Sequence, residues 1–184
     1  MKRLSASLLL VPTVLLTLSP LAAQEKPRVS PHETVTATVD GNEVSIVYGR
    51  PYSKDPKSGE KRKIWGALVP FGKVWRMGAD EATLLTTKQA IDLNGTNIPA
   101  GTYSLFFLPE EKGSAKLIVN KQTGQWGTKY DEKQDLARIE VTKEEAENTV
   151  DQFTVSIESE DSGGGVLQMM WEDAQYSVPF TVKK

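Results

Sequence analysis

The chain has 184 residues, a hydrophobic share of 39%, no cysteine and a formal net charge of −2. The absence of cysteine excludes thiol catalysis, disulfide exchange and metal sites with cysteine ligands. The mildly acidic balance gives no argument for binding nucleic acid or an anionic membrane surface, because both require an excess of positive charge.

The first 23 residues are predicted to be a secretory signal peptide. Lys2 and Arg3 form a positive start, residues 8–18 are mostly apolar, and Ala22 and Ala23 precede Gln24. This order of charged, apolar and small residues is the layout of such signals. The apolar run is about half of the roughly 20 residues that a spanning helix needs. We therefore expect an exported protein, periplasmic or secreted, with no membrane span after signal removal.

Removal of residues 1–23 leaves 184 − 23 = 161 residues, a length that suits one domain with a single core. Residues 24–31 are predicted to be a loose leader and residues 32–184 a single domain. The mature chain, residues 24–184, would carry 20 basic and 24 acidic side chains, since Lys2 and Arg3 are two of the 22 basic residues.

Alternating apolar residues separated by turn residues predict short strands along this domain. Asp40-Gly41 and Asn94-Gly95 are typical of tight hairpin turns, because both dipeptides tolerate positive φ angles. Roughly nine or ten such segments predict an all-β fold, a single-domain antiparallel β-sandwich or jelly-roll-like barrel. Residues at the apolar phase of the alternation are expected in the core. They are Leu105, Phe107, Val155, Ile157 and Trp171.

One segment carries a helix signal. Thr142-Lys143-Glu144-Glu145 matches the capping-box pattern at a helix start. The residues that follow, as far as Asn148, are polar, so at most a short surface helix is predicted there.

Residues 50–76 differ from the rest of the chain in charge. They hold eight basic and two acidic side chains, a net charge of +6, and include Arg50, Arg62 and Arg76, with Trp75 beside the last. The planar fork of arginine binds carboxylate, sulfate or phosphate through two hydrogen bonds and stacks on aromatic rings. We therefore predict that these four residues form one ligand site.

Two further residues are assigned to that site. Glu81 is expected to orient an arginine by ion pairing. Trp126, between Gly124 and Gly127 in the sequence, is either a stacking surface for a sugar or a plug over one end of the sandwich. In the alternative interpretation of residues 50–76, the lysines belong to a solvated loop while Trp65 and Trp75 are core anchors.

The motifs of common enzyme classes are absent from the sequence. His32, the single histidine, lacks the second histidine that zinc-site spacings require, and no Gly-x-Ser-x-Gly elbow, Walker loop or dinucleotide fingerprint occurs. No metal or cofactor is expected. The leading hypothesis is a non-enzymatic binding domain for a small anionic or carbohydrate ligand. The alternatives are a cell-envelope module that docks a protein partner and, third, a carboxylate-dependent hydrolase.

Several short blocks follow one another in a fixed order along the sequence. They are Val47-Tyr48-Gly49-Arg50-Pro51, Lys61-Arg62-Lys63-Ile64-Trp65-Gly66, Leu68-Val69-Pro70-Phe71-Gly72-Lys73-Val74-Trp75-Arg76, Ala79-Asp80-Glu81-Ala82-Thr83, Pro99-Ala100-Gly101-Thr102-Tyr103, Asn120-Lys121 and Gln125-Trp126-Gly127. This series resembles a bacterial domain-of-unknown-function family, number 2911. The resemblance begins at about residue 30, covers the rest of the chain, and implies exported proteins with no established activity or cofactor. The stretch 55–60 departs from the shorter connection expected there.

The signal-peptide prediction has a direct test. Mass spectrometry of the protein from its native host is expected to find a mature N-terminus at Gln24, within a few residues, because the small residues end at Ala23. A mature pool that retains Met1 would contradict the prediction.

Overall fold

The computed structural model describes residues 28–183. The predicted signal peptide and residues 24–27 of the predicted leader lie outside the described residues. The regular secondary structure of the described part is almost entirely β-strand, with a three-residue 3₁₀ helix at Glu132–Gln134 as its sole helical element. The strands are β1 (His32–Val39), β2 (Asn42–Gly49), β3 (Ala79–Thr87), β4 (Ile91–Leu93), β5 (Thr96–Ile98), β6 (Gly101–Pro109), β7 (Ala115–Asn120), β8 (Asp135–Ser159) and β9 (Gly165–Val182).

The nine strands form one antiparallel sheet in the order β1-β2-β3-β6-β7-β8-β9-β4-β5. The sheet does not close on itself, which favours the sandwich over the barrel of the two predicted architectures. The first part of β8 pairs with β7 and the rest pairs with β9, across two register shifts. Residues from both ends of this strand order meet in one apolar core, so the sheet folds over on itself. The all-β prediction and its strand number are confirmed.

Both predicted hairpin turns are present. Val39 pairs with Asn42 and Leu93 pairs with Thr96, so each hairpin has a two-residue loop. The loop residues all have positive φ, 48° and 79° at Asp40-Gly41 and 45° and 83° at Asn94-Gly95. Positive φ at both central positions is the conformation that matches the twist of paired strands.

The core prediction holds for four residues in full and for the fifth in part. Leu105, Phe107, Val155 and Trp171 are at most 2% exposed, and Ile157 is half-buried against the same core. The strand alternation therefore identified the inward face correctly, since a slip of one residue would have exposed all of them.

Trp75 and Trp65 pack as core anchors, as the alternative interpretation of residues 50–76 proposed. The Trp75 ring stacks on Trp171 with centroids 5.7 Å apart and meets Phe153 edge-on at 5.2 Å. The indole N–H of Trp65 donates to the carbonyl of Trp171 at 3.2 Å.

The predicted helix after Thr142 is wrong. Residues 142–148 belong to β8, where Thr142 pairs with Ser177 and Lys143 with Tyr176 of β9. The capping box is a local signal, and this polar window offers no apolar face to hold a helix on the core. Pairing with β9 satisfies the backbone instead. Between residues 28 and 183, no helix is long and apolar enough to cross a membrane.

The aromatic core is testable by truncation. Phe107→Ala and Trp171→Ala are each expected to lower the free energy of unfolding by about 3–5 kcal/mol, because a large buried ring is replaced by a cavity. Urea denaturation measures the change. Leu136→Ala, at a 37% exposed position, is the control and is expected to change stability by less than about 0.5 kcal/mol. Losses below about 1 kcal/mol for both ring truncations would contradict the core assignment.

Candidate functional site: a cavity with two unpaired arginines

A cavity of about 570 Å³ opens between residues 51–80 and the segment 106–130. Its volume lies within the range typical of small-molecule sites. We call it the arginine cavity, after Arg62 and Arg76 in its lining. The aromatic lining residues are Tyr52, Trp75, Phe106, Tyr130 and Trp171, and Asp80 is the third charged one.

One wall of the arginine cavity is the segment that leads into β3. Trp75 forms two backbone hydrogen bonds with Phe107 of β6, at 2.7 and 2.9 Å. After this pairing the backbone leaves regular geometry, with φ of 49° at Met77 and 63° at Asp80. The left-handed region is rarely occupied by residues other than glycine, and such residues cluster at functional sites. The Thr83 hydroxyl holds this turn by donating to the carbonyl of Met77 at 2.6 Å.

Arg76 is held by its own turn and by the opposite wall. Its Nε donates to the carbonyl of Gly78 at 3.1 Å. A Cβ atom at position 127 would lie only 2.9 Å from Cδ of Arg76, so Gly127 allows the backbone to pack directly on the arginine stem. Among the described residues no carboxylate lies within ion-pairing distance of the Arg76 guanidinium.

Arg62 enters the arginine cavity from the segment between β2 and β3. Its backbone N–H donates to the carbonyl of Ser53 at 2.9 Å, and its guanidinium donates to the carbonyl of Tyr52. Its Nε is buried and has no hydrogen-bond partner in the described part of the chain. Trp171, also in the lining, has a buried Nε1 in the same state. Buried donors are normally satisfied, so these two are exceptions among the described residues.

The remaining arginines form ion pairs. Arg28 pairs with Glu81. Arg50 pairs with Glu33 at 2.6 Å and also donates to the Thr154 hydroxyl at 2.8 Å. Arg138 pairs with Asp135 at 2.9 Å and with Glu132 at 2.7 Å. Within residues 28–183, the two arginines with no carboxylate at ion-pairing distance are thus the two that line the cavity, although, after backbone hydrogen bonds, the Arg62 charge is one of the weaker causes that lower the pKa of Asp55.

The predicted site residues therefore separate into two groups. Arg62, Trp75 and Arg76 line the arginine cavity. Arg50 is outside the lining and ties β1 to β8 through Glu33 and Thr154. Glu81 pairs with Arg28 rather than with Arg50, Arg62 or Arg76. Trp126 is 48% exposed and forms a backbone bridge with Glu81, next to the lining residue Gly127.

Tyr130 was not among the predicted site residues, and a side-chain network explains its position. Its hydroxyl donates to Asp135 Oδ2 at 2.6 Å and accepts from Arg138 at 2.9 Å, while its ring contacts Phe106 at 4.8 Å. Burial, with the Asp135 hydrogen bond second, raises the pKa of Tyr130 to about 12. Tyr130 is therefore neutral at physiological pH and adds no negative charge to the cavity.

Asp80 is the single carboxylate of the lining formed by described residues. Its Oδ2 lies 3.5 Å from Nε2 of His32, which also lies 3.3 Å from Glu81. The formal charge of the lining is therefore +1, from Arg62, Arg76 and Asp80. Glycosidase chemistry uses two facing carboxylates, and this lining offers one.

A family model described as "Protein of unknown function (DUF2911)" matches residues 30–180. The chain therefore belongs to this family, as the sequence blocks indicated. It matches no curated protein and no solved structure.

The contact between Gly127 and Arg76 is testable with two glycine variants. Gly127→Ala is expected to destabilise the protein by about 1–3 kcal/mol, because its Cβ would overlap the Arg76 stem and the carbonyl of Asp80. Gly124→Asn is the control in the same segment, since position 124 is open with φ of 79° and asparagine tolerates that conformation. Thermal unfolding compares them. Equal losses for the two variants would contradict the packing role of Gly127.

Proposed function

We propose that this member of the DUF2911 family binds a small anion in the arginine cavity. A single observation carries the proposal. Three of the five described arginines are paired with carboxylates, and the two that are not, Arg62 and Arg76, line one cavity of about 570 Å³. A guanidinium presents its donors in a fixed fork that matches a carboxylate, so an anionic ligand would supply the missing partner.

The surroundings strengthen such an interaction. Trp75 and Trp171 are nearly or fully buried, so they offer an apolar wall of low dielectric beside the guanidinium groups. Electrostatic attraction is stronger next to apolar walls than in water.

The carbohydrate alternative has weaker support in this cavity. A sugar needs many hydrogen-bonding side chains around its hydroxyl groups. Here Tyr130, a polar candidate in the lining, already bonds to Asp135 and Arg138. Trp126, the predicted stacking surface, lies outside the lining. An anion is thus favoured over a neutral sugar.

We further propose that the protein functions outside the cytoplasm, as residues 1–23 indicate. A protein partner in the cell envelope is the competing proposal, supported by the exposed indole of Trp126. The two proposals differ in what Arg62 and Arg76 do, since a partner bound through Trp126 would not depend on them.

The arginine requirement can be measured by thermal shift and calorimetry with phenylacetate, sulfate and phosphate. At least one of these anions is expected to raise the Tm of the wild-type protein, because a ligand stabilises the state that binds it. Arg62→Gln and Arg76→Gln are each expected to weaken that binding about 10-fold or more, the usual effect of losing a charge-assisted hydrogen bond.

Lys88→Gln is the charge-matched control. Lys88 pairs with Glu43 at the surface, 3.2 Å away, and is not part of the lining. The variant is expected to bind the anion like the wild type. Equal binding by all three variants, or no shift with any anion, would contradict the proposed function.

A further inference from the structure

Exposed apolar side chains are concentrated at the arginine cavity. Among residues 28–183, six large apolar side chains remain exposed, and three of them line this cavity. They are Val29, Tyr52 and Leu68, at 63%, 40% and 41% exposure. They come from three separate segments that only the fold brings together. Several exposed apolar side chains in the lining of one cavity are typical of a binding site rather than of random surface residues.

The charge of the lining limits the charge of the ligand. Arg62 and Arg76 contribute two positive charges and Asp80 one negative charge, so one negative charge on a ligand makes the site neutral. A second negative charge would be repelled by Asp80 and would have no guanidinium left to neutralise it. A carboxylate fits this balance better than a phosphate monoester, which carries close to two charges at neutral pH.

We infer that the ligand is an amphiphilic monocarboxylate. Its carboxylate would bind Arg62 and Arg76, and its apolar body would extend along Tyr52 and Leu68 toward the opening. This inference rests on the proposed function and names the chemical class of the ligand. The body is apolar because three lining residues, Val29, Tyr52 and Leu68, are exposed apolar side chains, and because burial of methylene groups on Leu68 and Tyr52 is favourable.

A series of alkanoates of increasing chain length separates the contribution of the carboxylate from that of the apolar body. Calorimetry with butanoate, hexanoate and octanoate is expected to show affinity rising about three- to fourfold for each methylene group buried. Octanamide, which has the body without the charge, is expected to bind at least 10-fold more weakly than octanoate. Glucuronate, which has the charge without an apolar body, is expected to show no measurable binding.

Variants of Leu68 and Tyr52 test where the apolar body of the ligand binds. Leu68→Ser is expected to flatten the dependence on chain length, because it removes apolar surface but no charge. Tyr52→Ser is a second variant with the same expectation. Leu136→Ser is the matched control, since Leu136 is 37% exposed and lies outside the lining. It is expected to retain the full length dependence, and circular dichroism confirms that each variant is folded.

The outcomes distinguish this inference from the proposed function. Glucuronate or phosphate binding that needs Arg62 and Arg76, with no length dependence among the alkanoates, overturns the inference and leaves the proposed function standing. Binding of octanoate and octanamide with equal affinity, unchanged in Arg62→Gln and Arg76→Gln, overturns both. If affinity still rises with alkanoate length in both Leu68→Ser and Tyr52→Ser, the inference that the apolar body lies along these two residues is overturned.

Discussion

The arrangement of the arginine cavity depends on the backbone pairing between Trp75 and Phe107. Two hydrogen bonds, at 2.7 and 2.9 Å, fix the register of the incoming segment against β6. In that register Trp75 is buried on Trp171 and Phe153, and the next residue, Arg76, is only partly buried in the cavity lining. Because neighbouring residues on an extended strand point to opposite sides, a slip of one residue would drive the guanidinium toward the core.

A second element completes the cavity from the other side. Residues 121–131 pair with the start of β3 through hydrogen bonds from Ala82 to Gln125 and from Gly127 to Asp80. The bonds of Tyr130 to Asp135 and Arg138 hold the end of this segment. Fixed walls reduce the conformational entropy that ligand binding would otherwise cost.

Arginines that pair with carboxylates and arginines that do not have different roles in this protein. Arg50 resembles Arg62 in the sequence, since both lie in the same basic segment. In the structure Arg50 joins β1 and β8 through Glu33 and Thr154, whereas Arg62 keeps a buried Nε without a partner. The first arrangement stabilises the fold. The second leaves a desolvated donor unsatisfied, which is unfavourable, and among residues 28–183 no carboxylate lies within ion-pairing distance of the guanidinium.

The sequence by itself determined the strands, both tight hairpins and most of the core, because alternation and turn chemistry are local signals read along one chain. It also identified Arg62, Trp75 and Arg76 as candidates from composition. Only the tertiary structure decided that Arg50 pairs with Glu33, that Tyr130 and Asp80 join the lining, and that residues 142–148 extend β8. These outcomes depend on strand pairing and on contacts between distant segments. Strand pairing overrode a local capping box, and no local pattern reports which carboxylate an arginine will meet.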